Sequence, residues 1–384
     1  MDRPAAPRVQ PIPPDMLRTM PRATRLVLPI LLAVASIAVA QEGNPRAEAL
    51  ARNAPQGSAA LAFIQGQVKQ IRDPALRTAA AELLASPRPA FMARYPSPAQ
   101  REAARAELVK QGLLAASVPA GELFPPLPEG SAAPMSFLAA PGGTLDSHHA
   151  YPGGLAEHTA FNLQLALDLL ADYAARYHLR GLDRDQVVAA VVLHDVLKPW
   201  CLQWKADGTV TVEPSIGGTW SHHIFAIAEA LHRGLPPEFV VSLASAHESP
   251  GLAPDRVVAF LRAAAILAGV DPVERGILRK TDQGFALARL PSIEASIHHL
   301  SDHDYVVTIP ADKAIAGALH ALMVASPQGK ALDAAELRWQ AHRIQTQVSG
   351  LVLYQALRER GPEGIAALLR DAHVPLVVAP DGLQ

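Results

Sequence analysis

Residues Asp183–Trp200 read DRDQVVAAVVLHDVLKPW, and the periodicity of this stretch decides the fold. Asp183 with Gln186 forms a variant of the capping box that starts a helix. Pro199 disfavours helical geometry in the residue before it, so the helix is expected to close at Lys198. Within it Val187, Val191, His194, Asp195 and Lys198 share one face, at spacings of four, seven, eight and eleven residues. Three polar groups therefore project from the inward side. Buried without partners they would cost several kcal/mol, so they must satisfy one another or hold an ion.

Neighbouring segments repeat the pattern. In SHHAYPGGLAEHTAF, Ser147 to Phe161, a Pro-Gly-Gly turn precedes a helix in which His158, Phe161, Leu165 and Leu169 form an interior stripe. A third helix, HHIFAIAEALHRG, starts at Ser221-His222-His223 and stops at Gly234. A fourth, EFVVSLASAHESP, starts at Pro236-Pro237 and places Val240, Leu243, Ala244 and His247 on one face. Nine of the 15 histidines lie between His148 and His247, and imidazoles recur on the inner side of four successive helices, which points to a joint metal site. His178 and His232 stand beside arginines and read as surface or hydrogen-bonded residues.

The order His158, His194-Asp195, a His at 222 or 223, then His247 resembles the HD superfamily of metal-dependent phosphohydrolases, all-helical proteins named for the His-Asp pair. HDVLK is similar to the family's His-Asp-x-x-Lys. HHAYPGGLAEHT is similar to the segment around the first metal His in a subgroup that includes HD-type 3′→5′ exoribonucleases. The resemblance covers roughly Ser147 to Asp271 and implies an all-α helical bundle with helical extensions and a small β-hairpin insertion. It further implies that His158, His194 and Asp195 bind a first divalent ion, with His222 or His223 and His247 on a second ion or the substrate phosphate. Asp195 would bridge the two ions, Lys198 would contact a phosphate oxygen, and His148 or His149 would line the pocket mouth. The family pattern closes with an Asp on a later helix. Here Gly269 stands in that slot and Asp271 two residues beyond, so Asp271 is either the last ligand or an N-cap.

The rest of the chain is organised around this zone. Of 384 residues 49% are hydrophobic and 18% charged, which excludes a disordered protein. Aromatics reach 5%, and the dominance of Ala and Leu favours helices. Residues 1–40 carry Arg18, Arg22 and Arg25 ahead of the apolar run LVLPILLAVASIAVA, which ends in Ala38-Val39-Ala40; this is the plan of a signal peptide and predicts export, with no stable membrane span after cleavage. Residues 41–123 read as packing helices, 124–146 as a Pro/Gly-rich connector or strap, 147–275 as the metal-binding domain and 276–384 as mostly helical with one strand at DYVVTI. An Asp207-Gly208 turn predicts a hairpin that either lids the pocket or makes a surface excursion. HHLSDHDY, His298 to Tyr305, reads as a loop, either solvated or an accessory metal site.

A lone Cys201 excludes intramolecular disulfides and multi-Cys zinc sites. The formal net charge of −2, without a dense Lys/Arg run, gives no path for a long nucleic acid. The expected activity is hydrolysis of a small phosphorylated molecule or nucleotide with one or two divalent ions, Mn, Mg, Fe, Ni and Zn being equivalent at this level. A di-iron oxygenase or a non-catalytic metal-binding module would use the same ligands.

Overall fold

The computed structural model describes residues 43–127 and 133–379; the leader read at 1–40 and part of the connector lie outside the described residues. The described chain is 60% helical, and its only β ladders are two antiparallel hairpins, so the fold is all-α. Four helices come first: α1 (Asn44–Arg52), α2 (Pro55–Lys69), α3 (Pro74–Ala85) and α4 (Pro98–Lys110). Each carries Pro in its first turn, where the missing N–H is no loss. Ser97 closes a full capping box with Gln100 on α4. After the one-turn α5 (Ala120–Leu123), the connector is a strap. Its own Phe124, Met135 and Phe137 are buried, and the indoles of Trp200 and Trp204 donate to the carbonyls of Pro125 and Ala139.

The centre is built from α6 (Gly154–Arg176), α7 (Arg184–Leu193), the one-turn α8 (Lys198–Cys201), α9 (Ser221–His232), α10 (Pro237–Ala244) and α11 (Pro254–Ala268). Helix α7 is apolar all round, and every residue from Asp185 to Leu193 is buried. Such a helix can be stable only at the middle of a bundle, and α2, α3, α6, α10 and α12 (Ile293–Ser301) pack around it. Asp183 caps it through the amides of Asp185 and Gln186.

Three local expectations need correction. Helix α7 ends at Leu193, not Lys198: the Val191 carbonyl, which the next ladder bond would use, accepts from His194 Nδ1 at 2.8 Å, and the chain continues in tighter turns, with Val196 N–H on Leu193 O and Lys198 N–H on Asp195 O. The buried face of α6 is His158, Thr159, Asn162, Leu163 and Ala166, so Phe161 is exposed and Asn162 points inward in its place. DYVVTI is not a strand but the start of α13 (Tyr305–Ala325). There Thr308, Ala311, Ile315, Leu319 and Met323 are buried at helical spacing and override the local preference of the β-branched run.

The Asp207-Gly208 turn carries a single bridge, Trp204 to Val210, and docks on α14 (Ala334–Gln347), where Trp339 donates to Ala206 O and His342 to Gly208 O. The first true ladder follows it. Strands β1 (Ser215–Ile216) and β2 (Thr219–Trp220) are joined by Gly217-Gly218, both at positive φ as a two-residue turn of this kind requires. That hairpin leads straight into α9 and sets where His222 begins. A second hairpin, β3 (Leu278–Thr281) with β4 (Gly284–Leu287), separates α11 from α12.

One large core runs from Ala47 through Ile297 to Trp339. A smaller one joins α13, α14, α15 (Gly350–Arg360) and α16 (Pro362–Asp371). Helices α1 and α14 are clasped: Arg46 makes a bidentate pair with Glu336 at 2.9 and 2.7 Å and lies over the Trp339 ring.

Candidate metal centre

Five imidazole- or carboxylate-bearing positions read from the sequence converge. His158 comes from the first turns of α6, His194 and Asp195 from the turn after α7, His222 from the start of α9 and His247 from the turn after α10. Asp195 sits between them: its Oδ2 is 3.3 Å from both His158 Nε2 and His194 Nε2, and its Oδ1 is 3.0 Å from His222 Nε2.

The carboxylate opposite Asp195 is Asp302, not Asp271. Asp302 Oδ1 lies 3.2 Å from His158 Nε2 and 3.4 Å from His194 Nε2, and its Oδ2 lies 3.6 Å from His247 Nε2. Asn162 fixes it with a 2.7 Å hydrogen bond. Asp271 is exposed, and its Oδ1 accepts from the amides of Val273 and Glu274, the capping role open to it in the sequence. The β3–β4 hairpin displaces the closing carboxylate to the end of α12, so the HHLSDHDY segment supplies Asp302 instead of forming a solvated loop.

His223 is also apart from the group. Its Nε2 donates to Leu243 O at 3.0 Å, and among the described residues it joins no cluster of ligand atoms. Of the two candidates, His222 is the one at the centre. His148 and His149 stand at the mouth, half-buried, against Asp304 and His158. Lys198 is buried and does not snorkel to solvent: its ammonium lies 2.5 Å from Asp195 Oδ2 and donates to the Gly142 carbonyl.

Tautomers are set from outside the cluster. Nδ1 of His158 faces Asp304 Oδ1 at 3.1 Å, Nδ1 of His194 faces Val191 O at 2.8 Å, and Nδ1 of His222 faces Glu213 Oε1 at 2.6 Å. Each acceptor holds the proton on Nδ1 and leaves Nε2 as a lone-pair donor turned inward. Nε2 of His194 and of His222 and both oxygens of Asp195 are buried without a well-directed hydrogen bond; the close contact of Lys198 with Asp195 is one of charge. Orphaned inward donors of this kind fit a divalent cation.

The charges respond accordingly. Burial opposes a charge on His158, yet Asp304, Asp195 and Asp302 together hold its imidazole well above the ordinary range. Burial opposes charge on His194 as well, and Asp195 and Asp302 lift it to about 9. Against its own burial, Asp195 is held well below the usual carboxylate range by His194 and Lys198. His247 is driven well down by burial and by His223. The cluster thus demands positive charge at its centre, supplied by protons or by metal ions.

The chain is 34% identical over 104 residues to the dihydroneopterin 2′,3′-cyclic phosphate phosphodiesterase of Methanocaldococcus jannaschii, a match covering 27% of this chain and 41% of the relative. It is 32% identical over 143 residues to the 3′-5′ exoribonuclease YhaM of Halalkalibacterium halodurans, covering 36% of this chain and 42% of the relative. Both relatives are HD-domain phosphohydrolases. The all-α architecture of the described residues is consistent with an HD-type helical fold. The HD resemblance carried by HDVLK and HHAYPGGLAEHT is thereby borne out, while the matched span is about two fifths of each relative's length. No family profile and no solved structure matches the chain.

Proposed function

We propose that this HD-type chain is a metal-dependent phosphohydrolase acting on a phosphate ester of a small molecule or nucleotide. The observation that carries the reading is the convergence of four Nε2 donors, from His158, His194, His222 and His247, on Asp195 and Asp302. His158, His194, Asp195 and Asp302 would hold one ion, and His222, His247 and Asp195 a second. Divalent ions there would supply acidified water for attack on phosphorus and positive charge for the oxygens as the ester breaks.

The chain's own groups prepare that chemistry. Glu213 and Asp304 keep protons on the outer nitrogens of His222 and His158, so the inner nitrogens stay available. Lys198 balances Asp195 and ties the Gly142 loop to the cluster, holding the wall near which a phosphate would lie. His247 is the most exposed imidazole of the group, with 22% of its side chain accessible, and marks the side open to substrate.

The small-molecule reading is favoured over an RNA strand because the chain lacks a dense basic run. The relatives act on a cyclic phosphate and as an exoribonuclease, and both chemistries enter the test. Export remains part of the proposal, supported by the basic, apolar and small-residue succession before Gln41.

Purified protein loaded in turn with Mn, Fe, Ni, Zn or Mg should hydrolyse at least one of a phosphomonoester, a 2′,3′-cyclic nucleotide and a linear phosphodiester, and His194→Ala should abolish it. Metal retention with no hydrolysis of any ester would leave a binding module; oxygen uptake by an iron-loaded form would indicate an oxygenase.

A further inference from the structure

We infer a separate cation site at the mouth of the cluster, formed by His148, His149 and Asp304 and suited to a divalent transition-metal ion. It uses none of the inward Nε2 donors and goes beyond the proposed hydrolysis. His148 Nδ1 and His149 Nδ1 lie 3.2 Å apart, and Asp304 Oδ2 lies 3.8 Å from His149 Nδ1. His148, His149 and Asp304, together with His158, each offer a ligand atom within 4.8 Å of the others. In a tetrahedral site with bonds of about 2.0–2.1 Å, neighbouring ligand atoms stand about 3.3 Å apart, so the three need little movement to close on an ion. Two imidazoles and one carboxylate suit Zn²⁺, Co²⁺ or Fe²⁺ better than Mg²⁺ or Ca²⁺.

The two imidazoles have a simpler partnership available, since one shared proton can join nitrogens at that distance. A proton leaves Asp304 Oδ2 out, beyond hydrogen-bond reach; a cation satisfies all three ligands. Asp304 is placed for both duties, with Oδ1 against His158 Nδ1 at 3.1 Å and Oδ2 turned to the mouth.

The backbone is built to hold His149 there. Its φ of 51° is left-handed, a region costly for a residue with a Cβ. Asp312 Oδ2 accepts from its N–H at 2.6 Å, and its carbonyl accepts from Gly142 N at 2.8 Å and Tyr151 N at 2.9 Å. The next turn presses so closely that a Cβ at Gly154 would lie 2.0 Å from the His149 carbonyl oxygen. Several independent contacts thus fix the backbone of His149 and with it the placement of its imidazole. With three protein ligands the site keeps an open position, and it borders a cavity of about 230 Å³ lined also by Tyr151, Glu157, Phe161 and Leu351. An ion at this point would anchor an anionic group of whatever enters that cavity.

The test is a Co²⁺ titration of the full chain stripped with chelator, read by the visible absorption of the bound ion and by elemental analysis. His148→Ala and His149→Asn, the latter chosen because Asn tolerates the left-handed backbone, should each lose one equivalent relative to the wild type and keep the rest. His194→Ala should lose cobalt from the inner cluster and keep the equivalent that His148→Ala removes. Wild-type stoichiometry and affinity in both mouth variants would overturn the outer site and leave the phosphohydrolase reading standing. Loss of all cobalt in His194→Ala would overturn its independence, and a wild type that takes up no cobalt would overturn both readings.

Discussion

Glu213 grips His222 twice: one carboxylate oxygen faces the imidazole Nδ1 at 2.6 Å while the other accepts the His222 backbone N–H at 2.8 Å. Side chain and helix start are thereby fixed by a single residue, which also takes the Ser221 hydroxyl at 3.0 Å. Glu213→Gln should loosen the orientation of His222 without removing a ligand. The expected outcome is metal affinity lower by about 10- to 100-fold, read by titration, with the helical content intact.

Asp302 and Asp271 should separate cleanly. Asp302→Ala is expected to remove most bound metal, since it deletes the carboxylate shared by His158, His194 and His247. Asp271→Ala should keep the metal and cost about 1 kcal/mol of stability, the scale of the turn hydrogen bonds it loses to Val273 and Glu274. Elemental analysis and a denaturant melt of the two variants give both answers; equal metal content would remove Asp302 from the site.

Lys198→Met tests a buried charge. The ammonium is paired with Asp195 where water does not reach, so the metal-free variant should lose about 3–5 kcal/mol as Asp195 is left uncompensated. Metal ions would take over that compensation, so the loaded variant should melt much closer to the loaded wild type. Turnover on a substrate that the wild type hydrolyses should fall by about a hundredfold or more. Unchanged turnover would leave the ligand set as the whole of the catalytic machinery.

His342 makes stability depend on pH away from the centre. Burial lowers its pKa to about 4, with Nε2 donating to Gly208 O and Trp204 and Trp339 packed alongside. Below the ordinary histidine value of 6.5 the unfolded chain binds a proton that the folded chain refuses. The stability this group contributes is therefore present above about 6.5 and is lost as pH falls toward about 4. His342→Gln should show a smaller drop in melting temperature than the wild type between those values; parallel curves would refute the assignment.

Much of the centre could be read from sequence because helices advertise their inner faces. His194, Asp195 and His158 lie in or beside runs whose apolar spacing fixes the buried side, and His222 follows a clear helix start, while His247 stands not on the helix face expected for it but in the turn just beyond, because α10 ends at Ala244. Asp302 could not be found that way. It sits in a turn, where periodicity says nothing, and the β3–β4 hairpin moves it one helix later than the resemblance implies. The signal present was the density of His and Asp in HHLSDHDY, bounded upstream by the Asp-Gln-Gly turn at 282–284. Phe161 misled for a related reason: a stripe counted from His158 through Phe161 is one position off the true face through Asn162. DYVVTI misled because four β-branched side chains outweigh, over six residues, a helical period that shows only over twenty.

The late position of Asp302 along the chain bears on the order in which the molecule is made. Four imidazoles and Asp195 leave the ribosome before their opposing carboxylate exists, and the Arg46–Glu336 clasp can form only after that. A half-built set of neutral nitrogens and one carboxylate would favour whichever ion binds imidazole most tightly. Completing the set with Asp302 restores the demand for charge and geometry that distinguishes one cation from another. The ion the chain acquires would therefore be drawn from the metal pool of whichever compartment it folds in, which under the export proposed above would lie beyond the membrane.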